Sequence, residues 1–183
     1  MCSTALTLLV RNLLGIRSQE SNILVLGLDN AGKSTLIAQL INDQCNYPLM
    51  PTLEPHEIHT SIKEARVCLW DLSGHIQKRM LWSNYYENKK AVIYVIDGKD
   101  ASRLSEARCA LCDLILNDHL QQVPLLIVAN KQDLGSAISS SMMSYLLGLD
   151  RLEEDTWEIK ECSALTGNGI ENIRNWIYSK AKK

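Results

Sequence analysis

The sequence predicts an α/β domain: a mostly parallel six-stranded sheet with one antiparallel edge strand, flanked by helices on both faces. Three observations lead there. Short apolar runs rich in β-branched residues alternate with segments of helical period. Several of those runs are apolar from end to end, as strands covered on both faces are. One pair of runs is separated by so short a polar turn that no crossover helix fits between them, which makes that pair antiparallel.

Taken in order, residues 22–28 read as the first strand and 33–42 as the first helix. Residues 57–62 and 66–72 are the closely spaced pair, turning at 63–65. A helical stretch at 77–88 precedes a strand at 91–96. Residues 101–120 are helical, with Leu104, Ala107, Leu111, Leu114 and Ile115 on one face. A strand at 123–129, a helix at 136–147, a strand at 156–162 and a closing helix at 168–180 complete the domain. Ahead of it, Leu6, Leu9, Val10, Leu13 and Leu14 share one face of an expected N-terminal amphipathic helix within 4–16, with Arg11, Asn12 and Arg17 on or beside the other. The expected division is therefore 1–18 for that helix and 19–183 for the globular domain.

Composition narrows the function classes. A chain of 183 residues is one ordinary domain, and 46% apolar with 22% charged residues suits a packed core. A formal net charge of -2 argues against a nucleic-acid binder. No apolar run approaches the roughly 20 residues that span a bilayer, and a secretory signal is not expected. Six scattered cysteines suit reduced thiols in the cytosol. Cys109 and Cys112 form a lone C-x-x-C, read as core packing in preference to a metal site.

Chemistry enters at Gly27-Leu28-Asp29-Asn30-Ala31-Gly32-Lys33-Ser34, a G-x-x-x-x-G-K-[ST] between the first strand and the first helix. A phosphate chain needs many donors close together. The glycines let successive N–H groups converge, and the helix adds its positive end. Lys33 contributes a point charge to the β- and γ-phosphates, and Ser34 a hydroxyl for Mg²⁺. Asp29, Asn30, Ala31, Gly32 and Thr35 complete the expected phosphate-binding set. Asn130-Lys131-Gln132-Asp133 follows the fifth strand and names the base. A buried Asp133 carboxylate can accept N1–H and N2–H of guanine, donors that adenine lacks; a site built on such bonds can reject an analogue by up to ~10⁴-fold. Lys131 would cover the base or ribose and Asn130 would tie the loop together. From Ser163-Ala164-Leu165 a backbone N–H, that of Ala164, would donate to guanine O6. Asp71-Leu72-Ser73-Gly74 is a D-x-x-G: Asp71 would hold Mg²⁺ through water, and Gly74 would offer its amide to the γ-phosphate. Thr52 would complete the Mg²⁺ shell when that phosphate is present, so its loss would release both loops. A P-loop ATPase or small-molecule kinase is the competing enzyme class, and it predicts no guanine preference.

These motifs, spread from Asn22 to Ile177, resemble the Arf/Arl/Sar branch of small GTPases. Gly27–Thr35 (GLDNAGKST), Trp70-Asp71, Leu81-Trp82 and Tyr85-Tyr86 carry the likeness, with LLIVANKQDL from Leu125 and CSALTGNG from Cys162 similar to Arf-like proteins. Pro51-Thr52-Leu53-Glu54-Pro55 and the run from Asp71 to Gln77 are similar to Sar. The resemblance implies the Ras-like P-loop GTPase fold and a monomeric GTP/GDP switch using Mg²⁺. It also implies an exchange factor, a GTPase-activating protein and a coat or tether effector. The setting it implies is vesicular traffic: a cytoplasmic protein reversibly associated with Golgi, ER or vesicle membranes through the N-terminal helix in the GTP state. Three departures matter. His75 stands where Arf-like proteins have the water-orienting glutamine; an imidazole offers a donor and an acceptor and is the catalytic candidate beside Lys33. If His75 fails in that task, the chain is a GTP-binding scaffold with negligible hydrolysis. Glu54 and Pro55 alter the effector surface, and Cys2 removes the myristoylation signal while offering a thiol for lipid. No arginine precedes Thr52, so slow intrinsic turnover is expected.

Overall fold

The structure, a computed structural model, describes residues 20–41, 54–152 and 156–182. The expected amphipathic helix with Cys2, the segment holding Cys45, and Thr52 lie outside the described residues. The strands built on the apolar runs are β1 (Ser21–Leu26), β4 (Ala91–Asp97) and β5 (Leu125–Asn130), polar only at an end. They take the middle of a six-stranded sheet ordered β2-β3-β1-β4-β5-β6, where β2 is His56–Ile62, β3 is Ala65–Asp71 and β6 is Trp157–Glu161. Every pairing is parallel except that of β2 with β3. As the outer partner, β2 carries the polar run His-Glu-Ile-His-Thr-Ser-Ile, and such side chains discourage edge-to-edge pairing.

Successive residues of a central strand face opposite layers, so an unbroken apolar run feeds two cores. Ile23 and Val25 pack with Leu36, Ile37, Ile173, Trp176 and Ile177 of α1 (Lys33–Leu40) and the C-terminal helix Ile170–Ala181. Leu24 and Leu26 face the other way, into a cluster with Tyr94, Leu111, Leu114, Met143 and Leu147. The one-turn helix α2 (Ile76–Arg79) lies between the layers in sequence, followed by α3 (Leu104–Ile115), α4 (Ser140–Leu147) and α5, the C-terminal helix. Among the described residues no helix is long and apolar enough to cross a membrane.

The sheet and helix order match expectation, but three helices are shorter than the periodicity suggests. The stretch 77–88 divides into α2 and a 3₁₀ turn at Trp82–Tyr85. Tertiary contacts cause the break: the Trp82 indole N–H donates to Ser73 O at 2.9 Å, and its ring meets Tyr94 edge-on at 6.5 Å. The stretch 101–120 is α3 flanked by 3₁₀ turns, each opened by a side chain (Asp100, Asn117) that accepts a backbone N–H. Residue Ser136 has φ 63, which a helix cannot accommodate, so α4 begins only after Ser139 caps it. The C-x-x-C is also corrected: Cys109 and Cys112 are exposed, because Ala107, Leu111 and Leu114 occupy the buried side of α3.

Register then positions the chemistry. Val25 pairs with Asp71 and Asp97 with Asn130, so the motif-bearing strand ends meet at the carboxyl edge of the sheet, where open α/β folds bind ligands.

Candidate functional site

The loop from β1 to α1 is shaped by what touches it. At Gly32, φ is 91 and an added Cβ would lie 2.3 Å from Asn130 Nδ2, so glycine is the residue that fits. This residue also starts α1, whose first turn has no side-chain cap and no acidic residue. The first N–H groups of the helix and its positive end are thus left to an external anion. Within the loop Asn30 is left-handed at φ 61, Ala31 N donates to Leu28 O at 3.3 Å, and Asp29 N donates to Gly74 O at 3.2 Å. Lys33 is 6% exposed and its ammonium donates to the carbonyls of Gly27 at 3.1 Å and Leu28 at 2.9 Å. Burial lowers its pKa to about 8, against the opposing pull of Asp71 and Asp29. Ser34 and half-buried Thr35 follow in the first turn.

Beside this cradle, Ser34 Oγ donates to Asp71 Oδ2 at 2.7 Å, and Asp71 is fully buried at the end of β3. A hydroxyl and a carboxylate, both hard oxygen donors, at the rim of an anion-binding turn fit Mg²⁺.

On the far side of the cradle, Asn130 is the node. Its Nδ2 donates to Ala31 O at 2.8 Å, while its Oδ1 accepts from Ala164 N at 2.9 Å and from the Cys162 thiol at 3.4 Å. One amide therefore joins the phosphate loop to the segment after β6. Burial pushes that thiol up to about 12, so it remains a neutral donor. Two expectations change here. The Ala164 N–H, expected to meet the base, is used by Asn130, whereas the N–H of Leu165 has no acceptor among the described residues. Asp133 is exposed, not buried; it accepts a hydrogen bond from Ser163 Oγ, and a bound base would be what takes it out of water. Lys131 is left-handed at φ 63 and pairs with Asp97 Oδ2 at 2.6 Å, fixing its stem across the groove.

The fourth wall is the segment after Asp71. An added Cβ at Gly74 would meet Leu28 C at 2.3 Å and Asp29 N at 2.4 Å, so this loop lies directly on the phosphate loop. His75 is exposed, and its ring makes no hydrogen bond among the described residues. Two arginines that sequence reasoning overlooked hold the wall in place. Arg79 donates to Gly74 O and to Glu106 Oε1, both at 2.7 Å, and reaches Asp29 Oδ1 at 3.4 Å. Arg103 meets the same Asp29 carboxylate at 3.2 Å and pairs with Asp100 at 2.6 Å. No spacing rule marks either; only the closeness of β1, α2 and α3 at the sheet edge reveals them.

The comparisons agree with this geometry. The model of the ADP-ribosylation factor family matches residues 6–181. ADP-ribosylation factor-like protein 3 of Caenorhabditis elegans is 41% identical over 166 residues, covering 90% of this chain and 89% of that protein. ADP-ribosylation factor-like protein alp41 of Schizosaccharomyces pombe is 34% identical over 168 residues, covering 92% and 90%. The Arl6 BBS3 small GTPase of Trypanosoma brucei, solved with the nucleotide analogue GppNp, superposes with a TM-score of 0.83 at 26% identity, covering 90% of this chain and 98% of that one. With the family model spanning nearly its whole length, the chain belongs to the ADP-ribosylation factor family of small GTPases, GTP-binding switches that hydrolyse GTP.

Proposed function

We propose that this chain is a Mg²⁺-dependent guanine-nucleotide switch that reads the γ-phosphate through Gly74 and Thr52, hydrolyses GTP slowly, and recruits an effector to an intracellular membrane. The observation that carries the reading is the linked pair of contacts around the cradle. Ser34, and Asp71 through water, would hold the metal, and Asn130 couples the phosphate loop to the base loop. When bound, Mg²⁺ neutralises charge on the β- and γ-phosphates. Lys33 exchanges its two carbonyl partners for phosphate oxygens. Asp133 accepts the two guanine donors, the Leu165 N–H faces O6, and Lys131 covers the ring from its Asp97 tether. His75, at the exposed start of α2, orients the attacking water. Arg79 and Arg103 are committed to Asp29, Glu106 and Asp100, so an activating protein would bring its own arginine to the phosphates.

Exposed Ile76, Met80 and Leu81 on and after α2, at 64%, 79% and 42%, support an effector that docks beside the third-phosphate sensor. A coat or tether protein and a Golgi, ER or vesicle membrane contacted by the N-terminal helix remain the proposed setting. Single-turnover GTP hydrolysis, with and without an activating protein, tests the enzyme reading. His75→Ala is expected to lower the stimulated rate while leaving GDP affinity within about twofold. An unchanged rate removes His75 from catalysis, and no hydrolysis by either form favours the scaffold alternative.

A further inference from the structure

On one face of the β2–β3 hairpin, three side chains of different chemistry converge, exposed Glu57 and His59 with buried Cys68. His59 stands directly opposite Cys68 in the antiparallel register, and Glu57 is two residues along β2 on the same face. Their ligand atoms, an imidazole nitrogen, a thiol sulfur and a carboxylate oxygen, all lie within 4.8 Å of one another. Donors around a tetrahedral Zn²⁺ sit about 3.3–3.8 Å apart, from metal–ligand bonds of about 2.0–2.3 Å. The exposed side chains of Glu57 and His59 are the ones that would turn toward the buried Cys68 sulfur to close the difference.

A second observation concerns the ring itself. Glu20, just ahead of β1, places Oε2 3.0 Å from His59 Nδ1, while His59 Nε2 lies 3.8 Å from Glu57 Oε2. In the tautomer that donates Nδ1–H to Glu20, Nε2 is left as an acceptor on the Glu57 side. This carboxylate–imidazole pairing is the outer-sphere arrangement that orients metal-binding histidines. Lys89 is near: its ammonium rests on the Trp70 ring at 3.9 Å and interacts electrostatically with Cys68 and Glu57, a charge that a bound ion would have to outcompete. None of these groups belongs to the nucleotide pocket.

We propose that Glu57, His59 and Cys68 form a site for a borderline-soft divalent transition ion, Zn²⁺ by ligand set, with Glu20 orienting His59. The thiolate and imidazole select against Mg²⁺ and Ca²⁺. Because the ligands come from facing positions of two strands, the ion clasps the edge strand β2 to β3 in one register.

The test uses full-length protein loaded with GDP in excess Mg²⁺ and titrated with Co²⁺, which reports a sulfur ligand by a thiolate-to-cobalt charge-transfer band. One equivalent is expected to raise the band, and Zn²⁺ to abolish it by displacement. His59→Ala should weaken Co²⁺ binding at least tenfold, Glu20→Gln roughly ten- to a hundredfold, and Cys68→Ser should remove the band. The double change Cys109→Ser/Cys112→Ser should leave it intact. Absence of the band in the native protein, its survival in Cys68→Ser, or its loss with Cys109 and Cys112 overturns the proposal. Should Cys68→Ser fail to hold GDP, His59→Ala decides, since that ring is 61% exposed and not needed for packing; undiminished binding there overturns the site equally.

Discussion

The nucleotide cradle and the switch wall lie against each other, yet they are built by opposite means. In the cradle, buried groups with defined partners do the joining: Lys33 to two carbonyls, Ser34 to Asp71, Asn130 to both Ala31 and Ala164. In the wall, Arg79 bonds Gly74 O and the other bonds are mainly ion pairs reaching the rim, with Asp29 half exposed and Glu106 about one-third exposed, and the residues around them are mostly exposed. Removing a partner from a buried hydrogen bond costs about 1–3 kcal/mol, whereas an exposed ion pair contributes about 0–1 kcal/mol. The difference teaches which half holds the ligand permanently and which half is cheap to release. A surface that must let go when one phosphate leaves cannot be bonded like the cradle.

The largest effect is expected where the cradle is cut at its node. Asn130→Ala strands a buried carbonyl at Ala31 and a buried N–H at Ala164, for a combined loss of about 3 kcal/mol. For a chain of this size that corresponds to a fall in Tm of about 6–12 °C. Fluorescent GDP should also dissociate roughly a hundredfold faster. If thermal unfolding and off-rate both stay near those of the native protein, the two loops are not coupled through this amide.

Next is Asp133→Asn, which leaves the node intact and changes what the pocket asks of the base. An amide NH₂ repels the two guanine donors that a carboxylate accepts, so GDP affinity should fall at least a hundredfold. The same NH₂ can donate to the extra carbonyl of xanthine, and xanthosine diphosphate should recover much of the loss. Competition binding with the two nucleotides measures this directly, and a variant that still prefers guanine would move the reading of the base elsewhere.

These two experiments concern residues that stand in the sequence as motifs, and that is where legibility was greatest. The strands themselves and the one antiparallel edge pair followed from apolar runs and a short turn, because a strand covered on both faces leaves a local signature. Lys33, Ser34, Asp71 and Asn130 followed from spacing, because phosphate and metal chemistry fix the distance between donors along the chain. What escaped was set by contacts between distant segments. Nothing near Arg79 or Arg103 in sequence hints at Asp29, 50 or 74 positions away. The capture of the Ala164 N–H by Asn130 depends on how β5 and the loop after β6 lie, not on either segment alone. Helix ends erred for the same reason, since Trp82 answers to Tyr94 and Ser73 before it answers to period.

On the wall side, Arg79→Ala should produce a smaller change. It frees Gly74 O, which keeps the Asp29 N–H at 3.2 Å, and breaks two pairs to part-exposed carboxylates, so about 1 kcal/mol is expected. The direction is what separates the two halves: limited proteolysis should cut faster between Ser73 and Trp82, while GDP dissociation should quicken only about two- to fivefold. An off-rate change as large as that of Asn130→Ala would erase the distinction between cradle and wall.

The smallest signal is a fraction of a proton at Lys33. Burial lowers its pKa in the folded protein from 10.5 to about 8, so the folded form releases this proton earlier than the unfolded chain does. Between about pH 8 and 10.5 the unfolded chain binds more protons, and this lysine's contribution to stability therefore rises with pH across that window. Phosphate oxygens around the ammonium favour the charged form and raise the pKa again. Binding GDP near pH 8 must then take up about half a proton, more at slightly higher pH and almost none near pH 6, where Lys33 is already charged. Calorimetric titration in buffers of different ionisation enthalpy reads the uptake as a slope, and near pH 8 the terminal phosphate of GDP is itself fully ionised and adds little. A flat slope there would mean that the cradle keeps its lysine charged without the ligand, and that the carbonyls of Gly27 and Leu28 compensate for burial more fully than their two hydrogen bonds suggest.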